Sequence, residues 1–172
     1  MRGSTFLVFE YMEHDLAGLF KNKIWFSLPE IKCIAKQLLE GVNYLHKQNL
    51  MHRDIKSANI LMGDRGEIKL ADFGLGRKCR SEGMYTYKVV TLWYRAPELI
   101  LGCKNYDHKV DVWSIGCVLA EFFIHDILFK SNFSLILEEN DCAQLQRILE
   151  ILGDFNKNNV PSSILDSFSL FK

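Results

Sequence analysis

The spacing of apolar residues predicts a domain built mainly from helices. After Ser27, apolar residues recur at intervals of three and four: Ile31, Ile34, Leu38, Val42 and Leu45. That spacing places them along one face of a helix. Ser27 and Glu30 match a capping box, and Pro29 suits the first turn. We expect this helix to run to about Lys47.

Three further segments also have helical patterns. Val110 to Ile124 is apolar almost all round, which is typical of a buried helix. Residues from about Asp141 to Leu152 predict an amphipathic helix that ends at Gly153. Its expected inward side chains are Leu145, Ile148, Leu149 and Leu152. Asp15 is placed to cap a short helix over Leu16–Phe20.

The strand signals are short. The run Phe6–Phe9 predicts a short buried strand. Ile60–Met62 and Ile68–Leu70 flank a turn sequence and predict a small β-hairpin. The polar stretch from Asp72 to Thr91 predicts a long loop, and loops of that length are usually functional or disordered. The expected fold class is therefore mainly α, with a small β component.

Composition narrows the range of partners. The chain has 172 residues, 48% of them hydrophobic, and a formal net charge of zero. Overall charge therefore favours neither nucleic acid nor an anionic membrane as a direct partner. The five cysteines include no C-x-x-C pair, so we expect free thiols in a reducing compartment. The longest apolar stretch, Val112–Ile124, is too short to span a bilayer.

The candidate chemistry lies on both sides of the predicted hairpin. Asp54, Lys56 and Asn59 precede it, and Asp72 follows it within Asp72–Gly74. The oxygen atoms of Asn59 and Asp72 are suitable ligands for Mg²⁺. Asp54 could accept a proton from an attacking hydroxyl, and Lys56 could balance charge on a phosphoryl group. These are the groups that phosphoryl transfer needs.

In this order, and with Ala96–Glu98 downstream, these motifs resemble those of eukaryotic serine/threonine protein kinases. The resemblance implies ATP and Mg²⁺ as cofactors, with Asn59 and Asp72 as metal ligands. It also implies that Asp54 is the catalytic base and that Lys56 lies near the γ-phosphate. Asp111 matches an aspartate that braces the catalytic loop in that family.

A finer resemblance is to the cyclin-dependent kinases. It is carried by the run from Val89 to Glu98 and by Tyr85-Thr86. It implies that Thr86 is the activating phosphorylation site and that Arg53 and Arg77 clamp its phosphate. Val89 and Val90 match a pocket that accepts proline after the target residue. The implied partners are protein substrates with Ser-Pro or Thr-Pro sites and a cyclin, and the implied location is nuclear, or else cytoplasmic.

The segment from Phe9 to Leu16 resembles the kinase hinge. The resemblance implies that Glu10 and Met12 offer backbone groups to adenine and that Asp15 reaches the ribose. It also implies that Leu61 packs beneath the adenine base. The continuation to Leu19 is similar to the branch of the family that phosphorylates the tail of RNA polymerase II.

The expected organisation is one partial kinase domain over residues 1–172. Its parts are a hinge at about 6–15, a catalytic loop at 52–59, an activation segment at 72–98 and helices of the lower lobe at 110–153. The sequence before Phe6 holds no glycine-rich loop or strand lysine, so we expect the upper β-rich lobe to be absent, and with it the helix that docks a cyclin. A truncated chain of this kind should show little ATP turnover on its own. Glu98 should lack its arginine partner, which the family carries in later helices.

Two other functions remain open from the sequence. The chain could be a truncated, kinase-like protein that binds partners without transferring phosphate. A small-molecule phosphotransferase could also use Asp54, Asn59 and Asp72, although the run from Thr91 to Glu98 fits a loop that binds a protein substrate.

Overall fold

The computed structural model of the chain describes residues 6–79, 84–131 and 137–153. Helices dominate this part of the chain. They are α1 (Leu16–Lys21), α2 (Leu28–Lys47), α3 (Pro97–Ile100), α4 (Lys109–Ile124) and α5 (Leu137–Leu152). No helix among the described residues is both long enough and apolar enough to cross a membrane.

The strands form two small antiparallel sheets. The first has the order β1-β3-β4, from β1 (His14–Asp15), β3 (Ile60–Met62) and β4 (Ile68–Leu70). The second pairs β2 (Leu50–Met51) with β5 (Arg77–Lys78). The predicted hairpin is confirmed by the register of β3 and β4, in which Leu61 lies opposite Lys69. A mainly helical fold with a small β component is therefore confirmed.

Helix α2 begins and ends where the sequence predicts. The Ser27 amide donates to Glu30 Oε2 at 2.7 Å, so the capping box forms. The stripe Ile31, Ile34, Leu38 and Val42 is buried. On the flank of the helix, Gln37 donates to Gly66 O at 2.9 Å and accepts the Ile68 amide at 3.0 Å. These two bonds fix the β3–β4 hairpin against α2, so the hairpin holds a defined position.

Helix α4 packs against α2 at the centre of the molecule. Val110 and Val118 are almost wholly buried, and Phe122 packs edge to face on Phe20 of α1 at 5.0 Å. The expectation that the whole helix is buried is wrong at Val112 and Phe123, which are 53% and 61% exposed. An apolar pattern all round a helix does not reveal which side faces a neighbour.

Helix α5 is longer than predicted. It begins at Leu137, before the expected start near Asp141. Ile148 is fully buried, but Leu152 is 51% exposed, so its predicted inward position is wrong. Ile151, in the same last turn, is also exposed, whereas Ile148 one turn earlier is buried. Gly153 ends the helix as expected, with φ +80° and its amide donating to Leu149 O at 2.8 Å.

The predicted strand at Phe6–Phe9 is wrong. These residues pair with no strand of the described chain, and their side chains are 77% to 94% exposed. A strand needs a hydrogen-bonding neighbour, and an apolar run needs a surface to pack on. Neither is present among the described residues, so a strong β pattern does not lead to a strand here.

The stretch predicted as a long loop begins with short elements. A 3₁₀ turn covers Phe73–Leu75, and β5 pairs with β2 through Met51 opposite Arg77. Residues 80–83 lie outside the described part of the chain. From Met84 to Thr91 no helix or strand forms, as the sequence predicts. The first part of this segment is therefore fixed to the strand that leads into residues 52–59.

Candidate active site

The loop of residues 52–59 is held from below by one buried carboxylate. Asp111 of α4 accepts the His52 amide at 2.9 Å and the Arg53 amide at 2.8 Å. His46 of α2 contacts the same carboxylate through Nε2 at 2.8 Å. Asp111 therefore braces this loop as the resemblance implies, and it does so from the first turn of α4.

Hydrogen-bond donors surround the carboxylate of Asp54. Lys56 Nζ donates to Oδ2 at 2.9 Å, and Asn59 Nδ2 lies 3.1 Å from the same oxygen. Thr91 donates to Oδ1 through its hydroxyl at 3.0 Å. Burial raises the pKa of Asp54, but the bonds from Lys56 and Thr91 outweigh it, so the net pKa lies below the ordinary value. The carboxylate is therefore ionised at neutral pH and can accept a proton.

Thr91 is a site residue that the sequence analysis did not single out. Its hydroxyl oxygen also accepts a hydrogen bond from Lys56 Nζ at 3.0 Å. Asp54, Lys56 and Thr91 thus form a closed triangle of contacts between two distant segments. The sequence signal that could have identified Thr91 is its position as the first residue of the run from Thr91 to Glu98.

Asn59 and Asp72 lie side by side because of one backbone bond. The Ala71 amide donates to Asn59 O at 2.9 Å, which brings the next residue, Asp72, alongside Asn59. The Asn59 side-chain amide donates to Asp54 O at 2.9 Å, so the amide oxygen of Asn59 remains available as a ligand. Asp72 is exposed and has a left-handed backbone with φ 60°. Two hard oxygen donors beside an ionised carboxylate fit a Mg²⁺ ion.

The loop that leads into α3 contains a strained valine. Val90 has φ +66°, a conformation that β-branched residues rarely adopt. Arg95 stabilises it by donating to Val89 O at 2.9 Å and to Val90 O at 3.1 Å. Asp141 of α5 completes the arrangement by accepting from Arg95 Nη1 at 2.8 Å. The two predicted pocket residues, Val89 and Val90, are both buried.

The buried carboxyl group of Glu121 links this loop to residues 52–59. The hydroxyls of Ser57 and Tyr94 are 3.2 Å apart, and both lie near the carboxyl group of Glu121 on α4. Burial raises the pKa of Glu121 to about 7. Glu121 is 5% exposed, so at neutral pH a substantial fraction of this carboxyl group carries a proton.

The predicted phosphorylation site, Thr86, is exposed. Of the two predicted clamp residues, only Arg53 is connected to it, through Tyr106. Arg53 Nη1 donates to the Tyr106 hydroxyl at 2.8 Å, and that hydroxyl donates to Thr86 O at 2.7 Å. Arg77 is exposed in β5, and its side chain makes no hydrogen bond or ion pair with the described residues. Its role as a clamp remains a prediction.

The predicted hinge leads into strand β1 of the first sheet. Asp15 lies opposite Leu61 in the β1–β3 register, so the residues expected at the ribose and at the base are neighbours. One oxygen of Asp15 is used to cap α1 by accepting the Gly18 amide at 2.8 Å. The Glu10 side chain is paired with Lys69 of β4. Met12 is half-buried.

Glu98 makes no ion pair within the described ranges of the chain. Burial raises its pKa, and the neighbouring charge of Asp107 raises it further.

Known proteins resemble this chain over nearly its whole length. The protein kinase domain family matches residues 2–170. Cyclin-dependent kinase 12 of Drosophila melanogaster is 50% identical over 156 residues, which are 88% of this chain and 13% of the fly protein. The CTD kinase subunit alpha of Saccharomyces cerevisiae is 41% identical over 160 residues, 92% of this chain and 29% of the yeast protein.

A solved structure also matches this chain. The crystal structure of the yeast RNA Pol II CTD kinase CTDK-1 complex contains a chain that superimposes with a TM-score of 0.80 at 42% identity. The match covers 87% of this chain and 47% of that chain, so this chain spans about half of that protein and less of the curated relatives. The family match and the geometry of Asp54, Asn59 and Asp72 lead to one conclusion: the chain belongs to the protein kinase domain family and is similar to its cyclin-dependent kinases.

Proposed function

We propose that this chain is the catalytic and activation-segment portion of an ATP-dependent serine/threonine kinase of cyclin-dependent type. The observation that carries the proposal is the Asp54 carboxylate, which Lys56 and Thr91 hold at 2.9 and 3.0 Å. An ionised carboxylate in that position can accept the proton of a substrate hydroxyl. Because its pKa is low, its main contribution is to orient the hydroxyl for attack.

Bound ATP and Mg²⁺ would supply the phosphoryl group and neutralise its charge. Asn59 and Asp72 are the residues that would hold the metal. Lys56 lies between Asp54 and Thr91, where its ammonium group can balance negative charge close to the reacting hydroxyl.

The proposed substrates are proteins with a proline directly after the target serine or threonine. Proline has no N–H to donate, so it suits a pocket in which the backbone carbonyls are already occupied. The carbonyls of Val89 and Val90 both accept from Arg95. The similarity to a yeast RNA Pol II CTD kinase supports the RNA polymerase II tail as a substrate and a nuclear location. The similarity to cyclin-dependent kinase 12 supports a cyclin as partner.

A chimera tests the proposal. Residues 6–153 of this chain replace the matching segment of the yeast CTD kinase subunit alpha, and phosphoryl transfer to a peptide with one Ser-Pro site is measured. We expect transfer that Asp54→Asn abolishes, that the exposed-residue control Asp64→Asn preserves, and that falls when the proline becomes alanine. A chimera that transfers phosphate equally well with Asp54→Asn contradicts the proposal.

The 172-residue chain alone distinguishes the main alternative, a non-catalytic binding protein. We expect little ATP turnover from it. If the chain binds the peptide and the chimera stays inactive although it assembles with its yeast partner subunits, the binding function is the better assignment.

A further inference from the structure

Tyr106 is a buried tyrosine that lies before α4 and outside the catalytic motifs. Its hydroxyl group has a partner on each side. It accepts from Arg53 Nη1 at 2.8 Å and donates to Thr86 O at 2.7 Å. Its ring packs against Tyr85 with 5.1 Å between centroids. A single neutral hydroxyl therefore connects the catalytic loop to the peptide group of Thr86.

Arg53 is anchored at a second point of the activation segment. Its Nε donates to Leu75 O at 2.8 Å, and the residue is 4% exposed. Within the described residues no carboxylate pairs with this guanidinium. A buried cation needs hydrogen-bond acceptors, and here neutral oxygens of Leu75 and Tyr106 provide them. The same cation thus contacts the start of the segment directly and its later part through Tyr106.

The backbone around Thr86 has one further attachment. The Tyr85 amide donates to Lys104 O at 2.7 Å, in the loop that also contains Tyr106. Residues 85 and 86 are therefore fixed to this loop at two consecutive positions.

We propose that the Tyr106 hydroxyl is a positioning group that fixes Arg53 and the Thr86 backbone relative to each other before Thr86 is modified. The proposal rests on the proposed kinase function and deepens its regulation. Phosphorylation of Thr86 then acts on a segment that is already placed, because the guanidinium of Arg53 is already held beside it. Phosphorylation of Thr86 thus strengthens a placement of Arg53 and the Thr86 backbone that Tyr106 has already set.

Hydrogen exchange on the 172-residue chain tests the structural part, without reference to activity. Tyr106→Phe removes only the hydroxyl group. We expect amides of residues 84–88 to exchange about threefold to tenfold faster, as the loss of a buried hydrogen bond implies, while amides of α4 stay unchanged. Tyr87→Phe, a neighbouring tyrosine whose hydroxyl has no hydrogen-bond partner among the described residues, should change neither region. Unchanged exchange at residues 84–88, or faster exchange throughout α2 and α4, overturns the proposal.

The chimera tests the functional part. With Thr86 unmodified, Tyr106→Phe should lower kcat about threefold to tenfold and leave KM for the peptide unchanged. Phosphorylation of Thr86 should restore the rate, because the phosphate group binds Arg53 directly. A rate that phosphorylation does not restore points to general damage and overturns the positioning role. A chimera with no activity before mutation contradicts the proposed function, while the exchange experiment still decides the role of Tyr106.

Discussion

The carboxylate of Asp111 accepts the backbone N–H of Arg53 at 2.8 Å, across 58 residues of sequence. Arg53 has φ +66°, so its backbone conformation is unfavourable for a residue with a side chain. The bonds from Asp111 to Arg53 and His52 offset that cost. The loop of residues 52–59 therefore keeps its shape because the first turn of α4 holds it.

Asp111→Asn should destabilise the protein strongly. Asparagine offers one carbonyl oxygen where Asp111 offers two, and its NH₂ group would face a backbone N–H of His52 or Arg53. We expect a loss of about 3 kcal/mol in the free energy of unfolding, as for other broken buried charge networks. Urea unfolding of the chain measures it.

The control for this prediction is Asp64→Asn in the exposed turn of the hairpin, which should cost less than about 0.5 kcal/mol. If the Asp111 and Asp64 variants unfold at the same urea concentration, Asp111 does not hold the loop.

Features that depend on neighbouring residues could be predicted from the sequence. Helix α2, its capping box and the β3–β4 hairpin follow from local spacing and turn residues, and all three are confirmed. Asp54, Asn59 and Asp72 could be proposed together because their order along the chain is characteristic, and the structure brings them to one place. Their roles in catalysis remain predictions.

Features that depend on distant contacts could not be predicted. Thr91 contacts Asp54, Tyr106 contacts Arg53 and Arg95 contacts Asp141. The members of each pair lie far apart along the chain, and no local spacing marks such pairs. Phe6–Phe9 shows the opposite error, because its β pattern is strong but no neighbouring strand of the described chain supports it. Periodicity identifies which faces are apolar, and only the assembled fold shows what covers them.

Thr91→Val should raise the pKa of Asp54. The change keeps the shape of the side chain but removes the hydroxyl that donates to Asp54 Oδ1 at 3.0 Å. Burial, which raises this pKa, is then opposed by fewer donors. A ¹³C NMR titration of the Asp54 carboxyl group measures the change.

The depressed pKa of Asp54 stabilises the folded state above the unfolded value of 3.8, and that stability is lost as the pH falls through the folded pKa. Thr91→Val should therefore lower stability at neutral pH. Thr91→Ser keeps the hydroxyl group and should titrate like the parent. Identical Asp54 titrations in the valine and serine variants show that the hydroxyl has no influence.

Arg95→Lys should loosen the loop that contains Val89 and Val90. The guanidinium group donates hydrogen bonds to Val89 O, Val90 O and Asp141 at once, whereas an ammonium group cannot match that planar arrangement. With Val90 held less firmly in its left-handed conformation, we expect a loss of about 1–3 kcal/mol in unfolding free energy. Arg65→Lys, at an exposed turn, is the matched control. If the two variants are equally stable in urea, the guanidinium group of Arg95 does not support Val90.

Glu121 should make the stability of the protein fall between pH 5 and 8. Its folded pKa of about 7 lies above its ordinary value of 4.5, because the group is buried. The folded state therefore holds the proton more tightly, so this contribution is complete below pH 4.5 and is lost as the pH rises through about 7. The full shift corresponds to about 3 kcal/mol.

Glu121→Gln isolates that contribution, because glutamine keeps the hydrogen-bonding shape and does not titrate. Burial also lowers the pKa of His52, so the informative quantity is the difference between parent and variant at each pH. That difference should grow in favour of the variant from pH 5 to 8, and the exposed control Glu40→Gln should show no such trend. A difference that stays constant across this range means that Glu121 has an ordinary pKa, and Tyr94 and Ser57 then face a permanently charged carboxylate.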